Sequence, residues 1–209
     1  MPAKQKTLDD LFLETLKDMY HAEKQILRAL PKMAKAAESD ELRQAFQTHR
    51  DETEGQVARL EQVFEMLGKP ARGKPCEAIK GIIEEGKEVM EDFEGSDALD
   101  AGLVAAAQAV EHYEISRYGT LRTWAGQLGM KDAARLFEET LAEEKKTDAL
   151  LTQLAEGQVN QEAAEGNAQS DREVAMSTGT DMGAQGAQGG SQGGSPAGGR
   201  IDTELSVEG

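Results

Sequence analysis

The sequence predicts an all-α fold: a four-helix bundle with a long crossover between its second and third helices. Three observations support this. Charged residues make up 30% of the chain and aromatics only 4%, with Met and Ala plentiful, a mixture that favours long helices over a sheet. Apolar residues recur in steps of four and three through four segments, the core stripe of a bundle helix. The chain also repeats on itself without gaps at an offset of 91 residues, pairing the first two helical segments with the last two.

The first helix is expected from about Thr7 to Ala37, with Thr7 as N-cap and Asp10 at the third helical position. Its seam is Phe12, Leu16, Met19, Glu23, Ile26, Leu30 and Met33, and Pro31 within it should kink or break the helix. The second helix runs from about Asp40 to Leu67, capped by Ser39 or Asp40 and stopped by Gly68 and Pro70. Its seam is Leu42, Phe46, His49, Thr53, Gln56, Leu60, Val63 and Leu67, with Glu52 on the edge of the same face.

Lys69, Pro70, Gly73 and Pro75 form a loop. A short helix, AIKGIIEEGKEVMEDF, follows, and Gly95 closes it. This segment returns the chain to the top of the bundle. The third bundle helix spans about Asp97 to Leu128, with Ser96 as cap and seam residues Leu103, Ala107, Glu111, Glu114, Tyr118, Leu121, Ala125 and Leu128. The fourth spans about Lys131 to Ala155, with seam Ala133, Phe137, Thr140, Glu143 or Glu144, Thr147, Leu151 and Leu154.

Residues 1–157 therefore form the bundle domain. Residues 158–209 contain no aromatic residue and include MGAQGAQGGSQGGSPAGG, a composition that cannot bury enough apolar surface to offset ordering entropy. They are expected to be a disordered tail.

A net charge of −16 argues against nucleic acid as a partner, because a phosphate backbone calls for a basic surface. Cys76 is the lone cysteine, which excludes an intrachain disulfide and cysteine-based zinc motifs. The opening MPAKQKTLDDLF lacks the apolar stretch of a signal peptide, and no apolar run is long enough to span a bilayer. These features lead to the expectation of a cytoplasmic protein without a membrane partner.

The seams carry acids where apolar residues are expected. The 91-residue offset places Glu23 on Glu114 and Glu52 on Glu143. A carboxylate in a bundle core costs several kcal/mol unless something pairs with it. Four at matching depth suggest a metal site shared between two related helix pairs. Spacings of three residues put Glu111 with Glu114, and His49 with Glu52, on common faces. The candidate ligands are thus Glu23, His49, Glu52, Glu111, Glu114 and Glu143, an oxygen-rich set suited to iron or manganese. The order His-x-x-Glu reverses the usual Glu-x-x-His, and Thr140 stands three residues before Glu143, so Glu144 or Glu139 are alternatives in that helix. His112, one residue off the seam, is a candidate to orient a ligand carboxylate. Tyr20 corresponds to Glu111 in the repeat. Its phenol is expected near the metals as a hydrogen-bond or electron donor, a core aromatic being the competing reading.

The segments YHAEKQILRALPKMAKAA, ELRQAFQTHRDETEGQVARLEQVFEMLG, AAAQAVEHYEISRYGTLRTWAGQLG and ETLAEEKKTDALLTQLA resemble the YciE/YciF-type ferritin-like proteins of bacteria over roughly residues 7 to 156. The resemblance implies a ferritin-like up-down bundle, a dinuclear metal centre (iron first, manganese as the variant), a homodimer and a link to stress responses. On that basis the expected partners are metal ions and dioxygen or peroxide, and the expected activity is oxidation of Fe(II). The competing expectation is a non-catalytic acidic bundle dimer, with a structural metal or none, acting as a scaffold.

Overall fold

The computed structural model describes residues 5–166 and Met176. Among these are five α-helices and no strand: α1 (Leu8–Ala36), α2 (Asp40–Met66), α3 (Glu77–Asp92), α4 (Leu99–Gln127) and α5 (Lys131–Leu154). Around the bundle the neighbours run α1, α2, α5, α4, while α3 lies outside, against α4 and α1. This is the ferritin-like arrangement, with α3 carried on the crossover. No described helix is long and apolar enough to cross a membrane.

Local chemistry fixes the ends of the helices. Thr7 and Asp10 form a reciprocal capping box, and the Ser39 hydroxyl accepts from Leu42 N–H at 3.2 Å, each satisfying donors that a helix start leaves open. Both α2 and α4 end in a glycine with positive φ: Gly68 at 62° and Gly129 at 74°. Beyond each, paired backbone bonds reach back into the last turn: Lys69 N to Phe64 O at 2.9 Å, and Met130 N to Ala125 O at 2.8 Å. A side chain at either glycine would strain this left-handed stop. Helix α1 runs unbroken through Pro31 rather than stopping there. Ser96 lies one turn ahead of the assigned start of α4, and its hydroxyl accepts from Ala98 N–H at 3.2 Å.

The buried Asp100 carboxylate accepts from Glu38 N–H at 2.9 Å and Ser39 N–H at 2.7 Å, tying the start of α4 to the α1–α2 turn. The core is continuous, from Phe12, Leu16 and Met19 through Leu60, Tyr118 and Phe137. After α5 the chain passes through a π-helical turn, Ala155–Val159, and continues as helix to residue 166. Val159 is buried there, so helical packing extends past the expected boundary at 157. The rest of the tail expected over 158–209, Met176 apart, lies outside the described residues.

Candidate metal centre

The seam positions become a polar chamber halfway along the bundle. His49, Glu111, Glu114 and Glu144 each present a ligand atom within 4.8 Å of the others, and all four are buried. His49 comes from α2, Glu111 and Glu114 from consecutive turns of α4, and Glu144 from α5. Glu23 of α1 is fully buried beside them, and it and Glu114 perturb each other's proton affinity. Four helices therefore contribute at one depth.

These groups have few protein partners. Tyr118 Oη donates to Glu23 Oε1. His49 Nε2 lies 3.2 Å from Glu111 Oε1 and 3.9 Å from Glu144 Oε2, close enough for charge attraction but out of hydrogen-bond alignment. His49 Nδ1 faces the Thr147 hydroxyl at 3.4 Å and Glu52 Oε2 at 3.8 Å. The second oxygens of Glu23 and Glu111, and both oxygens of Glu114 and Glu144, are buried with no hydrogen-bond partner. Uncompensated buried carboxylates are among the most expensive features a core can hold.

The proton affinities reflect this. Burial pushes the Glu23 carboxyl up to about 7, against the pull of the Tyr118 hydroxyl and His49. Burial, reinforced by neighbouring carboxylates, holds Glu114 well above its ordinary value. Glu144 is also held well above, by burial first and despite the facing His49. For His49, burial favours the neutral ring, but Glu111, Glu52 and Glu144 outweigh it and raise its pKa well above the usual value. Tyr118 is kept protonated by burial and the adjacent Glu23 charge.

The chamber gathers Glu23, His49, Glu111 and Glu114 of the expected ligands, whereas the others stand at its margin. Glu143 turns aside to Arg59, whose Nη1 donates to Oε2 at 2.8 Å and whose Nη2 pairs with Oε1; Gln56 also donates to it, at 3.2 Å. Glu144 takes the inward position on α5. Glu52 sits at the rim, accepting from Lys146 Nζ at 3.1 Å, and its pKa is lowered by His49 first and by this cation second. Tyr20 points away from the chamber: its hydroxyl donates to Glu61 at 2.7 Å, and burial with that carboxylate pushes its pKa to about 12. The phenol that does reach a chamber carboxylate is Tyr118. His112 is exposed and faces Asp148 at 3.2 Å, and Glu139 is bound by Arg135 at 2.8 Å.

A signal for Glu144 is present in the spacing. Ala133, Phe137, Thr140, Glu144, Thr147 and Leu151 step by four and three without interruption, in register with Leu42, Phe46, His49, Thr53, Gln56 and Leu60 of α2. Glu143 falls one position off that stripe. Tyr118 lies on the α4 seam, but its partner depends on how α4 and α1 are rotated about their axes.

Residues 7–164 match the family described as Domain of unknown function (DUF892). This chain belongs to that family. It is 50% identical over 159 residues to Protein YciF of Escherichia coli strain K12, covering 76% of this chain and 96% of that one. The crystal structure of the E. coli stress protein YciF superposes with a TM-score of 0.71, over 75% of this chain and 99% of that chain. The YcfI protein of Rhodopseudomonas palustris superposes at 0.69 with 45% identity, over 73% of this chain and 97% of that one. A Xanthomonas campestris protein, 23% identical and covering 76% of this chain and 97% of its own length, shares the fold at 0.60. The YciF-type ferritin-like fold expected from the sequence is the fold observed.

The donor set fits a metal. Oxygen ligands with one imidazole suit iron and manganese, and the unpartnered oxygens are the atoms a cation would satisfy.

Proposed function

We propose that the chain is a dinuclear metal protein, iron in the first instance and manganese as the variant, that oxidises Fe(II) with dioxygen or peroxide in a bacterial stress response. The observation that carries this reading is the set of unpartnered buried carboxylate oxygens between the helices. Four interior carboxylates, Glu23, Glu111, Glu114 and Glu144, match the charge of two divalent ions. The kinship to a stress protein, YciF, supports the setting. A homodimer in the cytoplasm belongs to the same proposal and rests on the resemblance to the YciF-type proteins.

His49, Glu111, Glu114 and Glu144 would hold the ions, with Glu23 closing the α1 side. A bound metal pair supplies one-electron steps and a Lewis-acid surface for the oxidant. The chain's own part is positional. Tyr118 fixes one Glu23 oxygen and leaves the other directed inward. Thr147 and Glu52 orient the imidazole through Nδ1, leaving Nε2 to face the carboxylates. Ligation through Nε2 requires loss of the proton these neighbours favour, so loading releases protons and weakens as pH falls. Arg59 holds Glu143, and Lys146 holds Glu52, which keeps cationic side chains at the margin.

The test is stopped-flow absorbance after mixing anaerobic Fe(II)-loaded protein with oxygen, and separately with peroxide, for the wild type and Glu114→Ala. The expected result is a ferric absorbance that forms faster than in buffer and is lost in the variant. Wild-type rates equal to buffer with both oxidants would refute the activity.

A further inference from the structure

A second cavity adjoins the chamber and has different chemistry. It occupies about 200 Å³ between α1, α3 and α4. Its inner end is walled by His49, Glu111 and Thr147. Its sides are apolar: Leu30 and Phe46 are buried, and Ile82, Ile83 and Met90 of α3 are half-buried. An apolar cavity of about 150 Å³ binds benzene, so the apolar part of this one has room for a hydrocarbon segment. The crossover helix thus provides the outer wall of a cavity that ends against His49, Glu111 and Thr147.

The exposed residues of the same cavity are cationic. Arg28, Lys32 and Lys87 are exposed on the lining. Lys87 is engaged by Glu84 at 2.9 Å and Glu91 at 3.6 Å. Arg28 and Lys32, one turn apart on α1, carry no ion pair among the described residues, in a chain with net charge −16. Both therefore present their charge at the edge of the apolar walls. Long basic side chains can lie along an apolar wall and present their charge at its edge.

We infer that this cavity binds a single-chain anionic amphiphile, a fatty-acid-type carboxylate, with its head on Arg28 and Lys32 and its chain directed inward toward His49 and Glu111. The charge at the mouth selects an anion, the apolar sides select a hydrocarbon, and the closed inner end limits its length. The inference does not rest on a metal: the walls are side chains of the protein, and binding is measured on metal-free chain.

Calorimetric titration of the full-length protein with decanoate tests it, alongside decyltrimethylammonium and anionic phospholipid vesicles. The wild type is expected to bind about one decanoate per chain, and the cationic analogue at least about tenfold more weakly. Ala29→Phe, which fills the bore, is expected to weaken decanoate binding by at least about tenfold with unchanged helical circular dichroism. Should that variant not fold, Ile83→Trp narrows the cavity from α3. The surface pair Arg28→Glu/Lys32→Glu should lower affinity about three- to tenfold without touching the core. No saturable decanoate binding, equal binding of the cationic analogue, undiminished binding to the filled variant, or association with vesicles alone would each overturn the inference.

Discussion

Helices α1 and α2 bring Glu23 and His49 into the chamber, whereas α4 and α5 bring Glu111, Glu114 and Glu144. The halves correspond at an offset of 91, yet among the chamber residues only Glu23 and Glu114 are like residues in like places. His49 faces Thr140 across the pseudo-symmetry, Thr53 corresponds to Glu144, and Tyr20 to Glu111. Glu52 and Glu143 do correspond, and both stand at the margin with cations, Lys146 and Arg59. The repeat thus sets a common depth for the polar layer, while individual substitutions decide which half supplies charge. Carboxylates held by a lysine or arginine stand outside; Glu23, Glu111, Glu114 and Glu144, which have neither, face inward.

The largest expected effect separates neighbours on α5. Glu144→Ala should weaken Mn(II) or Fe(II) affinity by more than about 100-fold, beyond the 10–100-fold that loss of an orienting partner costs, while Glu143→Ala changes it by less than about tenfold. Calorimetric titration of both variants checks this, and equal losses would break the distinction between inward and marginal acids.

Stability should separate the two sets in the opposite sense. In metal-free protein, Glu114→Leu removes an uncompensated buried carboxyl and should stabilise the fold by about 1–4 kcal/mol, while abolishing any metal-induced rise in Tm. Arg59→Ala, which strips the partner from marginal Glu143, should cost about 1 kcal/mol. Urea unfolding with and without metal measures both, and destabilisation by Glu114→Leu would count against unpaired charge in the chamber.

The third effect is pH dependence of the metal-free chain. Glu23 has a folded pKa near 7 against an ordinary value of 4.5. Between those values the native state binds a proton that the unfolded chain does not, so stability is fully present below about 4.5 and is lost as pH rises through 7. The raised pKa of His49 acts in the same direction. Unfolding midpoints should therefore fall between pH 5 and pH 8, with Glu23→Gln flattening the profile by about 1–3 kcal/mol.

The smallest effect distinguishes two phenols. Tyr118→Phe frees a Glu23 oxygen and should change metal affinity about two- to tenfold; Tyr20→Phe, whose hydroxyl serves Glu61, should change it less than about twofold.

Much of this was legible in the chain because bundle helices announce themselves by spacing. The seams, the Thr7 and Ser39 caps and the Gly68 and Gly129 stops follow from local chemistry, and the observed helices begin and end within a residue or two of them. Pro31 was harder, since its exposed position lets α1 absorb it without stopping. Alignment by identity drew Glu143 forward because it pairs with Glu52, but burial follows the four-three stripe, which selects Glu144. The partners of Tyr20 and Tyr118 depend on the rotation of one helix against another, which sequence spacing alone does not fix.

The central claim is that the inward carboxylates exist to hold two ions. Anaerobic Fe(II) titration of the purified chain, with bound iron counted after gel filtration, tests it most directly. The account predicts about two irons per chain in the wild type and in Glu143→Ala, and clearly fewer in Glu144→Ala. No retained iron in the wild type, or equal retention in Glu144→Ala, would contradict it.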